Sequence, residues 1–252
     1  MFEEDIKRFL RRHHYRGVTP VAALIDMDGT LYDSMPLHSA AWHRMVTELG
    51  IHATREEFFL YEGRTGASTI NIIFQRAYGR DATPEEIKEL YRRKTDYFNE
   101  FPKPGRMPGA LELMNILREA GIKRVLVTGS GQHSLIDRLA NDFPGIFTSD
   151  MMITGNDVIH GKPHPEPFIK AMQRARVSPS ASIAIENAPL GVESADRAGA
   201  FTIAVTTGPI PREEFVRAGA AVIFDSMPEA AGAMPHLLAE LFTTANTETI
   251  II

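Results

Sequence analysis

Short apolar runs that alternate with helical segments constrain the fold of this chain more than any other feature. The runs occupy residues 21–25, 125–127, 151–153, 183–185 and 201–205. Runs of this length are typical of buried strands, and strands that alternate with helices form parallel sheets with helices on both faces. We therefore predict an α/β fold with a mainly parallel, doubly wound sheet.

The chain is long enough for more than one structural unit. With 252 residues, 44% of them hydrophobic, it exceeds the usual size of a single domain. Residues 36–103 show a helical pattern, and residues 101–109 contain three prolines and two glycines, which suit a linker. We predict a helical extension at 1–20, an α/β core at 21–35 and 105–240, an inserted all-helical cap at 36–104 and a tail at 241–252.

Two local patterns mark helix starts in the predicted cap. Thr54 followed by Glu57, and Thr83 followed by Glu86, match the capping box, in which each side chain bonds the backbone N–H group of the other residue. The second pattern also has Pro84 at the first helical position. Helices should therefore begin after both threonines.

The N-terminal segment has two interpretations. Phe2, Ile6, Phe9 and Leu10 recur at helical spacing among basic residues. Such a helix can anchor a protein at a membrane surface, or it can dock on the protein's own core. We favour the docking helix.

Composition and charge exclude several kinds of site and partner. The chain has no cysteine, so it forms neither a disulfide nor a thiolate metal site. Its net charge of −5 offers no positive surface for nucleic acid, and no apolar run approaches the roughly 20 residues that span a bilayer. We expect a cytoplasmic monomer with a small-molecule substrate and neither nucleic acid nor a membrane as partner.

Two carboxylates directly follow the first apolar run. Because ligands bind at the C-terminal ends of parallel strands, Asp26 and Asp28 can face one pocket. One carboxylate can attack phosphorus, while the other protonates the leaving group and later deprotonates water. We assign Asp26 as nucleophile and Asp28 as acid/base. Taken alone, the dipeptide Asp28-Gly29 favours a simple turn, and the flanking context supports catalysis.

Groups that can bind phosphate follow later in the chain. Thr128, Gly129 and Ser130 come after the run at 125–127 and offer a hydroxyl and backbone N–H groups. A tight turn from strand to helix is equally compatible with this pattern. Lys162 lies in the Gly-Lys-Pro-His-Pro loop at 161–165, where its charge can neutralise the nucleophile and the phosphate together, although a lone lysine usually faces solvent.

Oxygen ligands for a metal end the run at 183–185. Glu186 and Asn187 would lie at the same edge of the sheet as Asp26 and Asp28. Carboxylate and carbonyl oxygens are the ligands that Mg²⁺ prefers, whereas a plain turn or a helix cap is the competing interpretation. We predict Mg²⁺ as the cofactor.

The order of these elements along the chain resembles the haloacid dehalogenase superfamily, over roughly residues 20–226. The sequence Ile-Glu-Asn-Ala-Pro-Leu-Gly-Val at 185–192, together with the insertion, is similar to the β-phosphoglucomutase branch with its helical cap. The resemblance implies that Asp26 and the backbone carbonyl of Asp28 bind Mg²⁺. It also implies that Thr128 and Lys162 bind the phosphate.

Three positions depart from that pattern. Asn187 stands where the metal motif has Asp, Glu62 where mutases carry Lys, and Gly66 where they carry an Arg that grips phosphate. A carboxylate that faces a second phosphate repels it unless a cation lies between them. We therefore predict that Glu62 binds Mg²⁺ that arrives with a small, highly charged substrate. The combination resembles a pyrophosphatase-like variant of the branch.

The predicted function is Mg²⁺-dependent hydrolysis of inorganic pyrophosphate through an aspartyl-phosphate. His38 and Lys94 match positions on the cap that mutases use, and with Arg64 they are predicted substrate contacts. They keep a sugar-phosphate phosphatase or a β-phosphoglucomutase open as alternatives. A non-catalytic phospho-receiver module also combines Asp, Thr and Lys at a parallel sheet edge, but it needs neither the cap nor Asp28.

Overall fold

Helices and strands alternate along most of the protein. The computed structural model describes residues 1–131 and 136–247. Its helices are α1 (Glu3–His13), α2 (Met35–Glu48), α3 (Glu57–Leu60), α4 (Gly66–Tyr78), α5 (Pro84–Glu100), α6 (Ala110–Glu119), α7 (Leu139–Asp142), α8 (Glu166–Ala175), α9 (Pro189–Arg197), α10 (Arg212–Ala218) and α11 (Met227–Thr247). Its strands are β1 (Ala22–Ile25), β2 (Lys123–Val127), β3 (Met152–Ile153), β4 (Ser182–Glu186), β5 (Phe201–Val205) and β6 (Val222–Phe224).

The described strands form one parallel sheet in the order β3-β2-β1-β4-β5-β6. In the register of the sheet, Ile25 of β1 lies beside Leu126 of β2 and Ile185 of β4. The strand order changes direction at β1, so the C-terminal end of β1 is a switch point where such sheets bind ligands. The predicted doubly wound parallel sheet is confirmed. The sequence analysis did not identify β6, which has only three residues.

The central strands are buried on both faces. Every residue of β1, β4 and β5 is buried. One face packs with α1, α6 and α11 in a cluster that includes Phe9, Leu113 and Leu237, and the other packs with α8 through Phe168. Because both faces are covered, these strands are continuous apolar runs without alternation, which made them visible in the sequence.

The N-terminal helix α1 docks on the core. Its Phe9 is buried, with its ring 5.0 Å from that of Phe201 in an edge-on arrangement. Arg12 and His13 both bond Asp196. The docking interpretation is confirmed, and the membrane-anchor alternative is wrong because the core covers the apolar face. No helix in the two described ranges is long and apolar enough to cross a membrane.

Helices α2 to α5 form a helical insertion between β1 and β2, defined here as residues 35–100. They enclose a hydrophobic cluster of their own that includes Phe58, Ile73 and Phe74. The insertion therefore has an apolar core separate from the clusters around the sheet. The domain boundaries at 36 and 104 stay a prediction.

One of the two predicted capping boxes forms. Thr83 Oγ1 accepts a hydrogen bond from the Glu86 N–H group, and Glu86 accepts one from the Thr83 N–H group. The Thr54 box is wrong in its second half, because the Glu57 carboxylate pairs with Arg76 at 2.8 Å. An ion pair outside the turn therefore replaces the reciprocal bond.

The C-terminal helix is longer than the sequence analysis allowed. Helix α11 runs through Thr247, and Leu241 is buried against the core. Residues 241–247 therefore continue the helix, and the predicted start of the tail at 241 is too early. Residues 248–252 lie outside the described residues.

Candidate active site

Polar residues follow three neighbouring strands at one edge of the sheet. Asp26 follows β1, Thr128 follows β2, and Glu186 and Asn187 lie at the end of β4. The Asp26 N–H group donates to the Ile185 carbonyl at 3.0 Å, which extends the strand pairing into the site. The predicted convergence of these residues therefore follows from the register of adjacent parallel strands.

Lys162 lies fully inside the protein, between two carboxylates. Its Nζ donates to Asp26 Oδ1 at 2.6 Å, to Glu186 Oε1 at 2.5 Å and to the Val127 carbonyl at 3.0 Å. Burial alone lowers the pKa of Lys162, but Asp26 and Glu186 outweigh burial and raise it above its ordinary value. The side chain therefore stays a cation next to the predicted nucleophile.

Asp26 is buried and only partly satisfied. Lys162 binds Oδ1, whereas within the described ranges no group donates a hydrogen bond to the buried Oδ2. Burial and the charge of Glu186 together outweigh the opposing charge of Lys162 and raise the pKa of Asp26 to about 8. A metal cation at Oδ2 would favour the ionised carboxylate.

Asp28 is held by groups from both sides of the site. Ser34 Oγ donates to Asp28 Oδ1 at 2.7 Å, and His38 Nε2 lies 2.9 Å from the same oxygen. Burial opposes ionisation, but His38 and Ser34 lower the pKa of Asp28 to about 2. Two hydrogen bonds thus orient the predicted acid/base.

His38 and Lys94 form a chain that leads to Asp28. Because a carboxylate can only accept, His38 Nε2 carries the hydrogen and Nδ1 is the acceptor, and Lys94 Nζ lies 2.7 Å from Nδ1. The imidazole stacks on the Phe98 ring at 4.2 Å. Burial lowers the pKa of Lys94 to about 7. Two predicted substrate contacts on the insertion, His38 and Lys94, are therefore connected to the predicted acid/base, Asp28, by hydrogen bonds.

Glu62 reaches across from the insertion to the core. Its side chain is buried, and Asn187 Nδ2 donates to Glu62 Oε1 at 2.8 Å. Asn187 Oδ1 accepts from Thr30 Oγ1 at 3.0 Å. Burial, followed by the charge of Asp26, raises the pKa of Glu62 well above its ordinary value. The two positions that depart from the mutase pattern therefore contact each other.

The turn at Gly29 makes this contact possible. Gly29 has φ +77°, and a Cβ atom there would lie 1.9 Å from Asn187 Nδ2 and 3.0 Å from Glu62 Oε1. Only glycine offers both the left-handed conformation and the space. The Asp28-Gly29 dipeptide thus forms the predicted turn, and Gly29 also lies directly against the side chains of Asn187 and Glu62.

A small cavity lies between the insertion and the sheet edge. Its volume is about 60 Å³, far below the roughly 300–1,000 Å³ of pockets for larger organic ligands. The residues around it include Asp26, Asp28, His38, Glu62, Arg64, Lys94, Thr128 and Ser130. The site residues predicted on the insertion and on the core therefore share one cavity.

The predicted phosphate loop contacts a residue that the sequence analysis missed. The Ser130 N–H group donates to Thr128 Oγ1 at 3.0 Å, and the Gly131 N–H group donates to the Tyr91 hydroxyl at 3.1 Å. Tyr91 belongs to α5, three residues before Lys94, so both residues face the same side of that helix. This spacing was the available signal. The alternative interpretation of this loop, a tight turn from strand to helix, extends into residues 132–135, which lie outside the described residues.

The oxygen atoms at this edge fit a hard cation. Asp26 Oδ2 is a buried acceptor that no described group binds, and oxygen-rich sites suit Mg²⁺. Within residues 1–131 and 136–247, no group of three His, Asp or Glu side chains is arranged to hold an ion, but the predicted set also uses the Asn187 amide and the Asp28 carbonyl. Both Glu186 oxygens are engaged, with Lys162 and with the Asn187 N–H group.

The family follows from comparison with known proteins. Residues 21–199 match the haloacid dehalogenase-like hydrolase family. The chain therefore belongs to this family of hydrolases, and the resemblance stated from the motifs is confirmed.

Three proteins illustrate what the chain is similar to within and around this family. A candidate beta-phosphoglucomutase from Bacteroides vulgatus has a TM-score of 0.92 and 46% identity, over 95% of this chain and 98% of that one. The phosphorylated carbohydrates phosphatase of Thermotoga maritima is 29% identical over 71% of this chain and 81% of its own. Protein CbbY of Cereibacter sphaeroides is 30% identical to this chain, over 84% of this chain and 94% of its own length.

Proposed function

We propose that the protein hydrolyses inorganic pyrophosphate through a phosphorylated Asp26. The contact between Glu62 and Asn187 inside the cavity is the observation that carries this proposal. A carboxylate at this point repels a second phosphate unless a cation lies between them. Pyrophosphate is small and highly charged, and it binds divalent cations in solution, so it suits a site with this carboxylate.

The chemistry has two steps that use the same pair of carboxylates. Asp28 is ionised in the free site, and the negative charge of a bound phosphate favours its protonated form. In the first step, an Asp26 oxygen forms a bond to phosphorus while the bond to the leaving oxygen breaks, and the protonated Asp28 donates its proton to that oxygen. In the second, Asp28 takes a proton from water, the water oxygen attacks phosphorus, and phosphate leaves Asp26. Both carboxylates return to their starting state.

Lys162 and Thr128 support the phosphoryl group in this scheme. The Lys162 cation lies 2.6 Å from Asp26 Oδ1 and reduces the repulsion between the nucleophile and an anionic phosphate. Thr128 is buried at the end of the adjacent strand and offers its hydroxyl together with the N–H groups of Gly129 and Ser130. Because the register of the sheet fixes these groups, they orient the phosphate without rearrangement.

Mg²⁺ is the proposed cofactor. Asp26, the Asp28 carbonyl, the Asn187 amide oxygen and Glu62 would hold it, with Glu186 acting through its bonds to Lys162 and the backbone. The metal supplies positive charge that stabilises the transferred phosphoryl group. Asn187 donates no negative charge to such a site, and Glu62 restores the missing carboxylate from the opposite side.

A second candidate function is sugar-phosphate chemistry, as a phosphatase or a mutase. The observation that favours it is the chain from Lys94 through His38 to Asp28 on the insertion side. The Thermotoga maritima relative, a phosphorylated carbohydrates phosphatase, also favours it. The cavity of about 60 Å³ opposes it, since it cannot hold a hexose in this conformation.

Phosphate release with Mg²⁺ present tests the two functions against each other. Pyrophosphate, acetyl phosphate, glycerol phosphate, a hexose 1-phosphate and a hexose 6-phosphate are compared by kcat/KM at equal enzyme concentration. We expect pyrophosphate to exceed the hexose phosphates by at least about a hundredfold. A preference for a hexose phosphate, or conversion of its 1-phosphate to the 6-phosphate, contradicts the proposal and supports the second candidate.

A further inference from the structure

Tyr91 links the helical insertion to the phosphate loop and has no role in the chemistry above. It lies in the middle of α5, and its hydroxyl accepts a hydrogen bond from the Gly131 N–H group at 3.1 Å. Gly131 follows Thr128, Gly129 and Ser130 on the core side. The phenol therefore spans the boundary between the two sides of the cavity.

The ring of Tyr91 occupies the space above Gly66. A Cβ atom on Gly66 would lie 2.2 Å from Tyr91 Cδ2 and 2.4 Å from Cε2, which is too close for any side chain. Gly66 is the first residue of α4 and does not have a positive φ, so its backbone accepts alanine. The neighbouring ring, and not the local backbone, therefore requires glycine at this position.

The surroundings of Tyr91 keep the ring in this place. The Trp42 ring is centred 6.2 Å away, and Lys94 Nζ lies 5.9 Å from the centre of the Tyr91 ring. All three side chains line the cavity. The ring is thus fixed by aromatic packing on one side and by its hydroxyl on the other, so it acts as a rigid wall.

We propose that Tyr91 determines the size of the substrate: its ring fills the space that the carbon skeleton of a larger phosphate ester needs, and the Gly131 contact holds the ring there. This inference rests on the proposed hydrolysis at Asp26. A pocket without room for additional atoms rejects larger substrates, because either the ligand or the wall must move. Tyr91 is therefore a specificity-determining residue rather than a catalytic one.

Replacement of Tyr91 tests the ring and the hydroxyl separately. The ratio of kcat/KM for a hexose 6-phosphate to kcat/KM for pyrophosphate is measured in the full-length protein with Mg²⁺. We expect Tyr91→Ala to raise this ratio at least about tenfold. Tyr91→Phe keeps the ring, so the ratio should change less than about threefold while kcat/KM for pyrophosphate falls by roughly two- to tenfold. Tyr97→Phe is the matched control, because its hydroxyl bonds Glu48 within the insertion.

Gly66 provides a second, independent test. Gly66→Ala alone should lower kcat/KM for pyrophosphate about tenfold or more, since the new methyl group displaces the ring. In the double variant with Tyr91→Ala the methyl group finds space. The value of kcat/KM for pyrophosphate in the double variant should therefore lie within about threefold of the value in Tyr91→Ala. The effects of the two substitutions would then be strongly non-additive.

Two results overturn the inference. One is an unchanged substrate ratio in Tyr91→Ala, and the other is a double variant whose losses simply multiply. If Tyr91→Ala does not fold, Tyr91→Leu gives the same comparison with a smaller loss of volume. Failure of the pyrophosphate proposal is visible separately, in the wild-type preference across the substrate series, whereas failure of the Tyr91 inference is visible only in the change between wild type and variants.

Discussion

The two sides of the active site are built in different ways. On the core side, the register of adjacent parallel strands fixes Asp26, Thr128 and Glu186. On the insertion side, Glu62 comes from the turn between α3 and α4 and Tyr91 from the helix α5, and no common register connects the two. The comparison indicates that the core side is suited to fix the chemistry, whereas the insertion side is free to vary and can select the substrate.

Glycines allow the two sides to approach each other. A Cβ atom on Gly63, which has φ +87°, would lie 2.8 Å from Lys162 Cδ, and one on Gly129 would lie 2.5 Å from the Gly63 carbonyl oxygen. The turn between α3 and α4 therefore rests directly on the core backbone. A side chain at Gly63 or Gly129 would therefore push the insertion side away from the core side.

The largest effect should follow from the loss of the proposed nucleophile on the core side. Asp26→Asn keeps the shape of the side chain but removes its charge, so kcat/KM should fall by at least about 10⁴-fold for every phosphorylated substrate. Steady-state phosphate release measures this loss. Asp33→Asn, a change at an exposed aspartate of the same loop, is the control. Activity that survives for one substrate class would contradict a common nucleophile.

Lys162 tests whether the core side is also a source of stability. Lys162→Met leaves Asp26 and Glu186 buried without their shared cation, and loss of one partner of a buried ion pair costs about 3–5 kcal/mol. Denaturant unfolding in the presence of EDTA, at neutral pH, measures the free energy of unfolding. The exposed residue Lys88 offers the control Lys88→Met.

The free energy of unfolding of Lys162→Met should also depend on pH, and the raised pKa of Asp26 determines the direction of the change. Burial raises the pKa of Asp26 in the folded protein to about 8, against 3.8 as its ordinary value, and removal of Lys162 raises it further. The folded variant thus keeps a proton on Asp26 that the unfolded chain releases, so the contribution of Asp26 to stability is fully present below about pH 4 and is lost as the pH rises toward 8 and above. A loss of stability that is constant across this range would contradict the assignment.

The positions of the core-side residues could be predicted from the sequence, and the reason is topological. Apolar runs that are buried on both faces locate the strands, and residues after adjacent parallel strands must meet at one edge. Asp26, Thr128 and Glu186 could therefore be placed without side-chain detail. The exceptions on this side are β6, whose apolar run at 220–224 was not identified, and the extent of α11.

The insertion side could be predicted only in part. Glu62 and Lys94 were found through a family resemblance, whereas Tyr91 and Ser34 were not found, because their roles depend on how α2 and α5 pack against the core. Helical spacing shows that Tyr91 and Lys94 share a face, but it does not show what that face meets. The Thr54 capping box failed for a similar reason, since Arg76 binds Glu57 from a different helix.

Glu62 tests selection by the insertion side. Glu62→Gln keeps the hydrogen-bonding shape next to Asn187 and removes the charge that we propose for the metal. We expect kcat/KM for pyrophosphate to fall about a hundredfold, with hexose phosphates affected less than about threefold. Glu56→Gln, at an exposed position next to α3, is the matched control. Equal losses for all substrates would place Glu62 in the common chemistry instead.

The smallest effects should follow from the loss of one hydrogen bond to Asp28, either from the core side or from the insertion side. Asp28 Oδ1 is bound by Ser34 at the end of the core segment and by His38 on the insertion. Each hydrogen bond to a charged acceptor contributes about 1.5–3 kcal/mol, and one bond remains after either change. Ser34→Ala and His38→Gln should therefore each lower kcat about tenfold, measured by steady-state turnover.

The KM values separate these two variants. Ser34→Ala should leave KM unchanged, because Ser34 orients the acid/base without contact to the substrate side. His38→Gln should also raise KM, because His38 belongs to the insertion and lies 2.7 Å from Lys94 Nζ, a predicted substrate contact. The half-buried residue His43, on the same helix, provides the control His43→Gln. If both variants changed kcat and KM alike, the division between a reacting core and a selecting insertion would not hold at Asp28.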